Sequence, residues 1–259
     1  MIVIGDLHGN FDTLMALLDI IPQSEKDKGI VLCGDLIDRG PKSMEIVQWC
    51  IDNKIQSVMG NHETMMLEWN KNGRSYKNQF WLGQGGLETL DSYKERVDHP
   101  YLKGEVQWDL FEEHCKYLST LPLYLAFPKI INEQGRKLVV SHSNIQHAWE
   151  HIDNKELMES SRIREQVLWS RPSQIKDIPS IYNIIGHTPQ KNGARIRKPY
   201  ACIDTGCFYI NTGYGILTAL QYPEMIIYEH ENIDSKVGHI PKKATLTVED
   251  LINRKRMSK

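Results

Sequence analysis

Short apolar runs that stop at glycine and a ligand-capable polar residue recur along this chain. Met1–Ile4 runs into Gly5-Asp6-Leu7-His8-Gly9. Ile30–Cys33 runs into Gly34-Asp35, and Ile55–Met59 into Gly60-Asn61-His62-Glu63. Runs this short, bounded by turn residues, have the pattern of buried strands. Between the first two, Leu14, Leu17, Leu18 and Ile21 fall at helical spacing, with Asn10 or Asp12 placed to cap and Pro22 to close. A second helix is expected from Lys42 or Ser43, burying Met44, Val47, Cys50 and Ile51. Strand and helix alternate, and each strand end carries Gly with Asp, His or Asn. This predicts an α/β fold with its chemistry at the carboxyl ends of adjacent strands.

The pattern changes at about residues 64–121. Helical spacing dominates there, anchored by Trp69, Phe80, Trp81, Trp108 and Phe111. We read it as a helical cap inserted over one sheet edge, within a single domain spanning 1–259. Gln84-Gly85-Gly86 follows no strand, so it reads as a helix break and not a phosphate loop. Strands resume at Leu123–Phe127, Ile130-Ile131 and Lys137–Val140, with a hairpin turn at 131–136 and Ser141-His142-Ser143 after the last. A helix over Lys155–Leu168 leads to Trp169-Ser170-Arg171. Tyr182–Ile185 ends in Gly186-His187-Thr188-Pro189, and Tyr200–Ile203 in Asp204-Thr205-Gly206, read as a tight turn. Ile216–Gln221 and Met225–Glu229 form a closing antiparallel pair. Thr245–Asn253 is expected as a short helix and Arg254-Lys255-Arg256 as a solvated tail.

Composition narrows the classes. The chain has 259 residues, 41% of them hydrophobic and 25% charged, which suits a globular protein with a sizeable core. A net charge of −2 gives no basic field for nucleic acid, and no apolar run reaches membrane-spanning length. The five cysteines are scattered without C-x-x-C spacing. They are expected to be reduced thiols of a cytoplasmic protein without a signal peptide. Oligomeric state is not legible.

Collected together, the strand ends supply Asp6, His8, Asp35, Asn61, His62, His142 and His187. Two divalent ions roughly 3.5–4 Å apart clamp an in-line displacement at phosphorus and lower the pKa of a water. Asp35 suits the bridging position. One ion would take Asp6, His8 and Asp35, and the other Asp35, Asn61, His142 and His187. Arg39 and Arg171 stand beside the motifs as forked ligands for phosphate. Arg162, Arg164, Arg195 and Arg197 are alternatives to Arg171. His62 is placed to protonate the leaving group, with Asp38 orienting its imidazole. Alone, His62 also reads as a metal ligand, Asp38 as a turn residue and Arg39 as a surface charge. His99, His114, His147, His151, His230 and His239 lack a strand-end context and are expected to be structural or on the surface.

GDLHGN, GDLIDRG, GNHE, the His142 strand end and GHTP resemble the PPP family of metallophosphoesterases. WLGQGGLETLDSY and the length are similar to its bacterial and phage branch, typified by the phage lambda protein phosphatase. The resemblance implies a calcineurin-like fold of central mixed β-sheets flanked by helices. It implies two divalent ions, manganese first with iron, zinc or nickel as alternatives, and serine/threonine phosphoprotein or phosphopeptide as substrate. It carries over the metal roles of Asp6, His8, Asp35, Asn61, His142 and His187, the acid role of His62 with Asp38, and phosphate binding by Asn61, Arg39 and Arg171. Two positions depart. Met59 stands where protein phosphatases carry Arg, and Ser143-Asn144 where they carry Ala-Gly. Diadenosine tetraphosphate hydrolases also have an apolar residue before Gly-Asn-His, but alter the positions of Asp38-Arg39. A phosphoprotein phosphatase is therefore the first expectation, a dinucleoside polyphosphate hydrolase the second, and an inactive binding module the third.

Overall fold

Alternation along the strands builds two sheets packed face to face. The computed structural model describes residues 1–74, 79–95, 104–146, 148–171, 175–210, 213–234 and 243–247. The chain begins with β1 (Ile2–Ile4), α1 (Phe11–Ile20), α2 (Gln23–Lys26), β2 (Ile30–Leu32), α3 (Ser43–Asp52), β3 (Gln56–Ser57) and α4 (Asn61–Lys71). A π-helical turn (Leu82–Gly86) then leads to α5 (Leu87–Ser92) and α6 (Trp108–Ser119). β4 (Tyr124–Ile131) and β5 (Lys137–Ser141) form the expected hairpin, closed by Asn132 and Gly135. They are followed by α7 (Lys155–Glu159), α8 (Ser161–Trp169), β6 (Ile181–Ile185), β7 (Arg195–Ile196), β8 (Tyr200–Cys202), β9 (Ile216–Gln221), β10 (Ile226–Glu231) and β11 (Lys243–Thr247).

The first sheet runs β11-β10-β9-β1-β2-β3, with β1, β2 and β3 parallel and the rest antiparallel. The second runs β4-β5-β6-β8-β7, with β5, β6 and β8 parallel. Successive side chains on a strand point to opposite faces. Ile2 and Ile4 therefore pack with Leu14 and Leu17 of α1 and with Val47 of α3. Val3 faces the other way, joining Val31, Val58, Leu138, Val140, Ile184 and Leu220 between the sheets. Val139 and Ile181 point outward onto Ile163 and Val167 of α8. The layers are helix, sheet, sheet, helix. Each buried Val, Leu or Ile contributes about 1.5–3 kcal/mol. The parallel strands of both sheets end at the same rim, and that places the site.

Three expectations change. The helix over Lys155–Leu168 is two helices, because Ser160 leaves helical geometry and caps α8 by accepting from the Ile163 N–H. The helix expected from Thr245 begins instead as β11, paired antiparallel to β10, while 248–253 and the basic tail lie outside the described residues. Asn10 stands at the N-cap position of α1, but its side chain makes no capping bond. The Asn10 amide donates to Leu7 and His8 carbonyls, holding the first loop. Asp234 accepts the Asp12 and Thr13 N–H groups from across the chain. All five cysteines are buried free thiols. Among the described residues, no helix is long and apolar enough to cross a membrane.

Candidate metal centre and its surroundings

Asp6, His8, Asp35, Asn61, His142 and His187 come together, each buried, from five strand ends. The His187 N–H donates to Asp6 Oδ2 at 2.9 Å, which ties the end of β6 to that of β1. The His142 Nδ1–H donates to the Cys33 carbonyl at 2.8 Å, tying β5 to β2. Gly60 and Gly186 sit where a Cβ would collide with the carboxylates of Asp35 and Asp6. His8, Asp35, Asp38, Arg39 and His187 all have positive φ, between 45° and 75°. Non-glycine residues hold this conformation where surrounding structure over-determines it, often at functional sites.

The donor set fits metal. His8 Nδ1 faces the Ile37 carbonyl at 3.0 Å, so that nitrogen carries the proton and Nε2 turns a lone pair to Asp35 Oδ2, 3.5 Å away. The same logic leaves His142 Nε2 as a lone pair. It lies 2.8 Å from Asn61 Oδ1, 3.2 Å from His187 Nδ1 and 3.4 Å from Asp35 Oδ1. The lone pairs of His142 Nε2, Asn61 Oδ1 and Asp35 Oδ1 repel when crowded this closely unless a cation or proton sits among them. Asp6 Oδ1 is buried with no hydrogen-bond partner. Two overlapping groups result: His8, Asp35 and His62, and Asp35, His142 and His187. Asp35 is common to both, as its expected bridging role requires. His62 faces the first group through Nε2, 3.9 Å from Asp35 Oδ2.

Charge follows from burial and neighbours. Burial opposes the Asp35 charge, but His142, His62 and His8 outweigh it and hold the carboxyl below the usual range. Burial, with Arg39 and His62 nearby, depresses His8. Burial and His142 push His187 down to about 3. These imidazoles stay neutral near pH 7, the form that ligates metal. Burial acts on His62 in the same sense, but Asp35 and Asp38 overcome it and raise its pKa. His62 Nδ1 is 2.6 Å from Asp38 Oδ2. Arg39 donates to His8 Nε2 at 2.7 Å and lies over the Phe208 ring at 4.3 Å. Arg171 lies 3.3 Å from His187 Nε2. All ten expected site residues thus surround one rim.

The chain belongs to the calcineurin-like phosphoesterase family. Residues 1–193 match that family's model. The buried Asp, Asn and His cluster lies within the matched residues, and its donors could hold divalent metal. A symmetrical bis(5'-nucleosyl)-tetraphosphatase of Neisseria gonorrhoeae is 32% identical over 148 residues, covering 56% of this chain and 44% of that protein. The chain thus matches less than half the length of that relative. The asymmetrical bis(5'-nucleosyl)-tetraphosphatase PrpE of Bacillus subtilis is 28% identical over 250 residues, covering 86% of this chain and 91% of that protein. A crystal structure provisionally named a diadenosine tetraphosphatase superposes with a TM-score of 0.57 at 22% identity, covering 88% of this chain and 91% of the other. That likeness concerns the fold. These relatives are named as nucleotide hydrolases, which reverses the order of our first two expectations.

Several residues around the rim have roles that the sequence pattern did not assign. Glu63 accepts N–H groups from Asp35, Leu36 and Gly60 at 3.0, 2.8 and 2.8 Å. Its spacing of three after Gly60 at a helix start was the available signal. Trp81, Thr89 and Ser43 surround Asp38, and Phe208 supports Arg39. Trp81 and Thr89 lie far from Asp38 in sequence, and no local pattern marks them. Asp204 is the expected turn, accepting the Gly206 N–H at 2.8 Å, yet it is also a buried acid beside Asp6. His114 is structural, between Tyr93 and Gln48.

Proposed function

We propose that this protein hydrolyses bis(5'-nucleosyl) tetraphosphates asymmetrically, to a nucleoside triphosphate and a nucleoside monophosphate. The observation that carries this reading is the length of the match to the asymmetrical PrpE enzyme, which spans 86% of this chain and 91% of the relative. The symmetrical enzyme matches over only 148 residues. Met59, buried where protein phosphatases carry Arg, also supports it.

In this reading, Asp6, His8 and Asp35 would hold one divalent ion, and Asp35, Asn61, His142 and His187 the other, manganese being the first choice. Such ions supply Lewis acidity and a water acidic enough to attack near neutral pH. Arg39 and Arg171 grip phosphate oxygens as guanidinium forks, with the Asn61 amide beside them. A water oxygen bonds to phosphorus and gives up a proton to bulk water as the bond to the leaving oxygen breaks. That leaving oxygen takes the proton from His62 Nε2, and Asp38 holds the opposite nitrogen. The helices between 64 and 121 act as a cap over this rim. The protein works in the cytoplasm, without nucleic-acid or membrane partners.

The test is a substrate panel under manganese titration. It compares kcat/KM for diadenosine tetraphosphate, a phosphoserine peptide and an aryl phosphate, with the nucleotide products separated. We expect the dinucleotide to lead and to give equal amounts of ATP and AMP. Two molecules of ADP would make the cleavage symmetrical. A faster phosphopeptide would restore the phosphoprotein phosphatase reading, and no turnover with metal bound would leave a binding module.

A further inference from the structure

Asp38 is fully buried, and among the described residues its carboxylate is met by His62 and by two side chains of the helical segment beyond α4. The Trp81 Nε1–H reaches Oδ1 and Oδ2 at 3.1 and 2.9 Å, and the Thr89 hydroxyl donates to Oδ1 at 2.7 Å. Thr89 Oγ1 also accepts the Asp38 N–H at 2.9 Å, as does Ser43 Oγ at 3.0 Å. The same segment reaches the next residue, because the Gly85 carbonyl accepts the Arg39 N–H at 3.2 Å. Asp38 and Arg39 are consecutive left-handed residues with φ of 75° and 72°. That backbone does not hold itself, and outside bonds maintain it.

The geometry fits one task. A carboxylate has two oxygens and several acceptor directions. With Oδ1 held by Thr89 and Trp81 bridging both oxygens, Oδ2 is left aimed at His62 Nδ1, 2.6 Å away. That contact orients the ring so that Nε2 faces the Asp35 side of the site. The π-helical turn sets the reach. Gly85 has a φ of 115°, and a Cβ on Gly86 would meet the Trp81 ring at 2.6 Å.

We propose that Trp81 and Thr89 are positioning residues for leaving-group protonation. Acting through Asp38, they hold His62 in the orientation that delivers its proton. The proposal rests on the reading of His62 as general acid. It also gives the helical segment a chemical role in addition to any control of access.

A general acid matters most when the leaving group is poor, and its loss removes roughly 10²–10⁴-fold. The test compares Trp81→Phe, Thr89→Val, Thr89→Ser and His62→Asn with the unmodified protein. The readouts are bound metal, inorganic phosphate affinity and kcat on manganese-loaded protein across aryl phosphates of rising phenol pKa. The far-downfield proton resonance of the His62 ring is recorded in parallel, and it decides the matter if aryl phosphates are not turned over. His62→Asn is expected to steepen the leaving-group dependence. Thr89→Val and Trp81→Phe are expected to do so more weakly, losing roughly ten-fold on the poorest leaving group and little on nitrophenyl phosphate. Metal and phosphate binding should be unchanged, the ring resonance should shift or vanish, and Thr89→Ser should restore both. Equal losses on every leaving group, loss of metal or an unmoved resonance would overturn the positioning role. A flat dependence in His62→Asn would overturn the general-acid reading and this proposal with it. A steep one there with a flat one in Thr89→Val would overturn this proposal alone.

Discussion

The Glu63 carboxylate accepts the backbone N–H of Asp35 at 3.0 Å, from the first turn of α4 to the loop after β2. Leu36 and Gly60 N–H groups converge on the same carboxylate at 2.8 Å each. One buried side chain therefore fixes Asp35 relative to Asn61, two expected ligands from different strands. Glu63→Ala strands three buried donors at about 1–3 kcal/mol each. A loss of about 3 kcal/mol or more is expected in urea unfolding of the metal-free protein, with weaker metal binding in titration. Unchanged metal affinity would show that Asp35 holds its place without Glu63.

Gly85 gives a second prediction. A Cβ there would lie 2.6 Å from the Arg39 backbone nitrogen and from Arg39 Cγ, on a backbone with φ of 115°. Gly85→Ala should therefore displace Arg39, with a strain of about 1–3 kcal/mol. The expected signature is weaker inorganic phosphate binding and a raised KM, with metal content retained. Loss of metal in parallel would make Arg39 part of the metal site's support.

Metal binding should release protons near neutral pH. Burial raises Asp204 and Glu63 to about 7, aided by the charge of Asp35. At pH 7 the metal-free protein then carries about half a proton on each. Nearby cations favour the ionised forms, so up to about one proton should leave as metal enters. His187, held at about 3, is already neutral and releases none. Calorimetric metal titration in two buffers of different ionisation enthalpy measures the release. The part carried by these two acids should shrink toward zero by about pH 9, where both are ionised beforehand. A heat independent of buffer at pH 7 would contradict this.

Acid stability should depend on His114. Its Nε2–H donates to Gln48 Oε1 at 3.0 Å, and its Nδ1 accepts the Tyr93 hydroxyl at 2.7 Å, so the neutral ring is satisfied. Burial pushes its pKa down to about 4 from 6.5. Between those values the unfolded chain takes up a proton that the native ring refuses. Stability is therefore full above about pH 6.5 and falls as pH drops toward 4, by about 3 kcal/mol through this residue. Urea unfolding across that range should show a shallower pH slope in His114→Gln than in the parent. Equal slopes would remove His114 as the cause.

That the rim residues gather at strand ends was legible in the sequence. A short apolar run followed by Gly and Asp, Asn or His is a local pattern, and β1, β2, β3, β5 and β6 end as it implies. The tight turn at Asp204, the hairpin at 131–136 and the antiparallel β9–β10 pair were local in the same way. The break at Ser160 was not separated from ordinary helical polarity, because a serine within a periodic segment reads equally as a surface position. β11 was missed because its pairing with β10 is decided by a neighbouring strand and not by its own periodicity.

By itself, then, the sequence determined which elements form and which residues stand at their ends, since both follow from side-chain periodicity and turn chemistry within a few positions. Only the tertiary structure decided what surrounds those residues. Glu63 on Asp35, Trp81 and Thr89 on Asp38, Phe208 under Arg39 and Asp234 capping α1 are contacts between distant segments. Such pairings depend on how the layers pack. A hydrogen bond or a cation over a ring requires two groups in register in space, and no spacing along the chain encodes that.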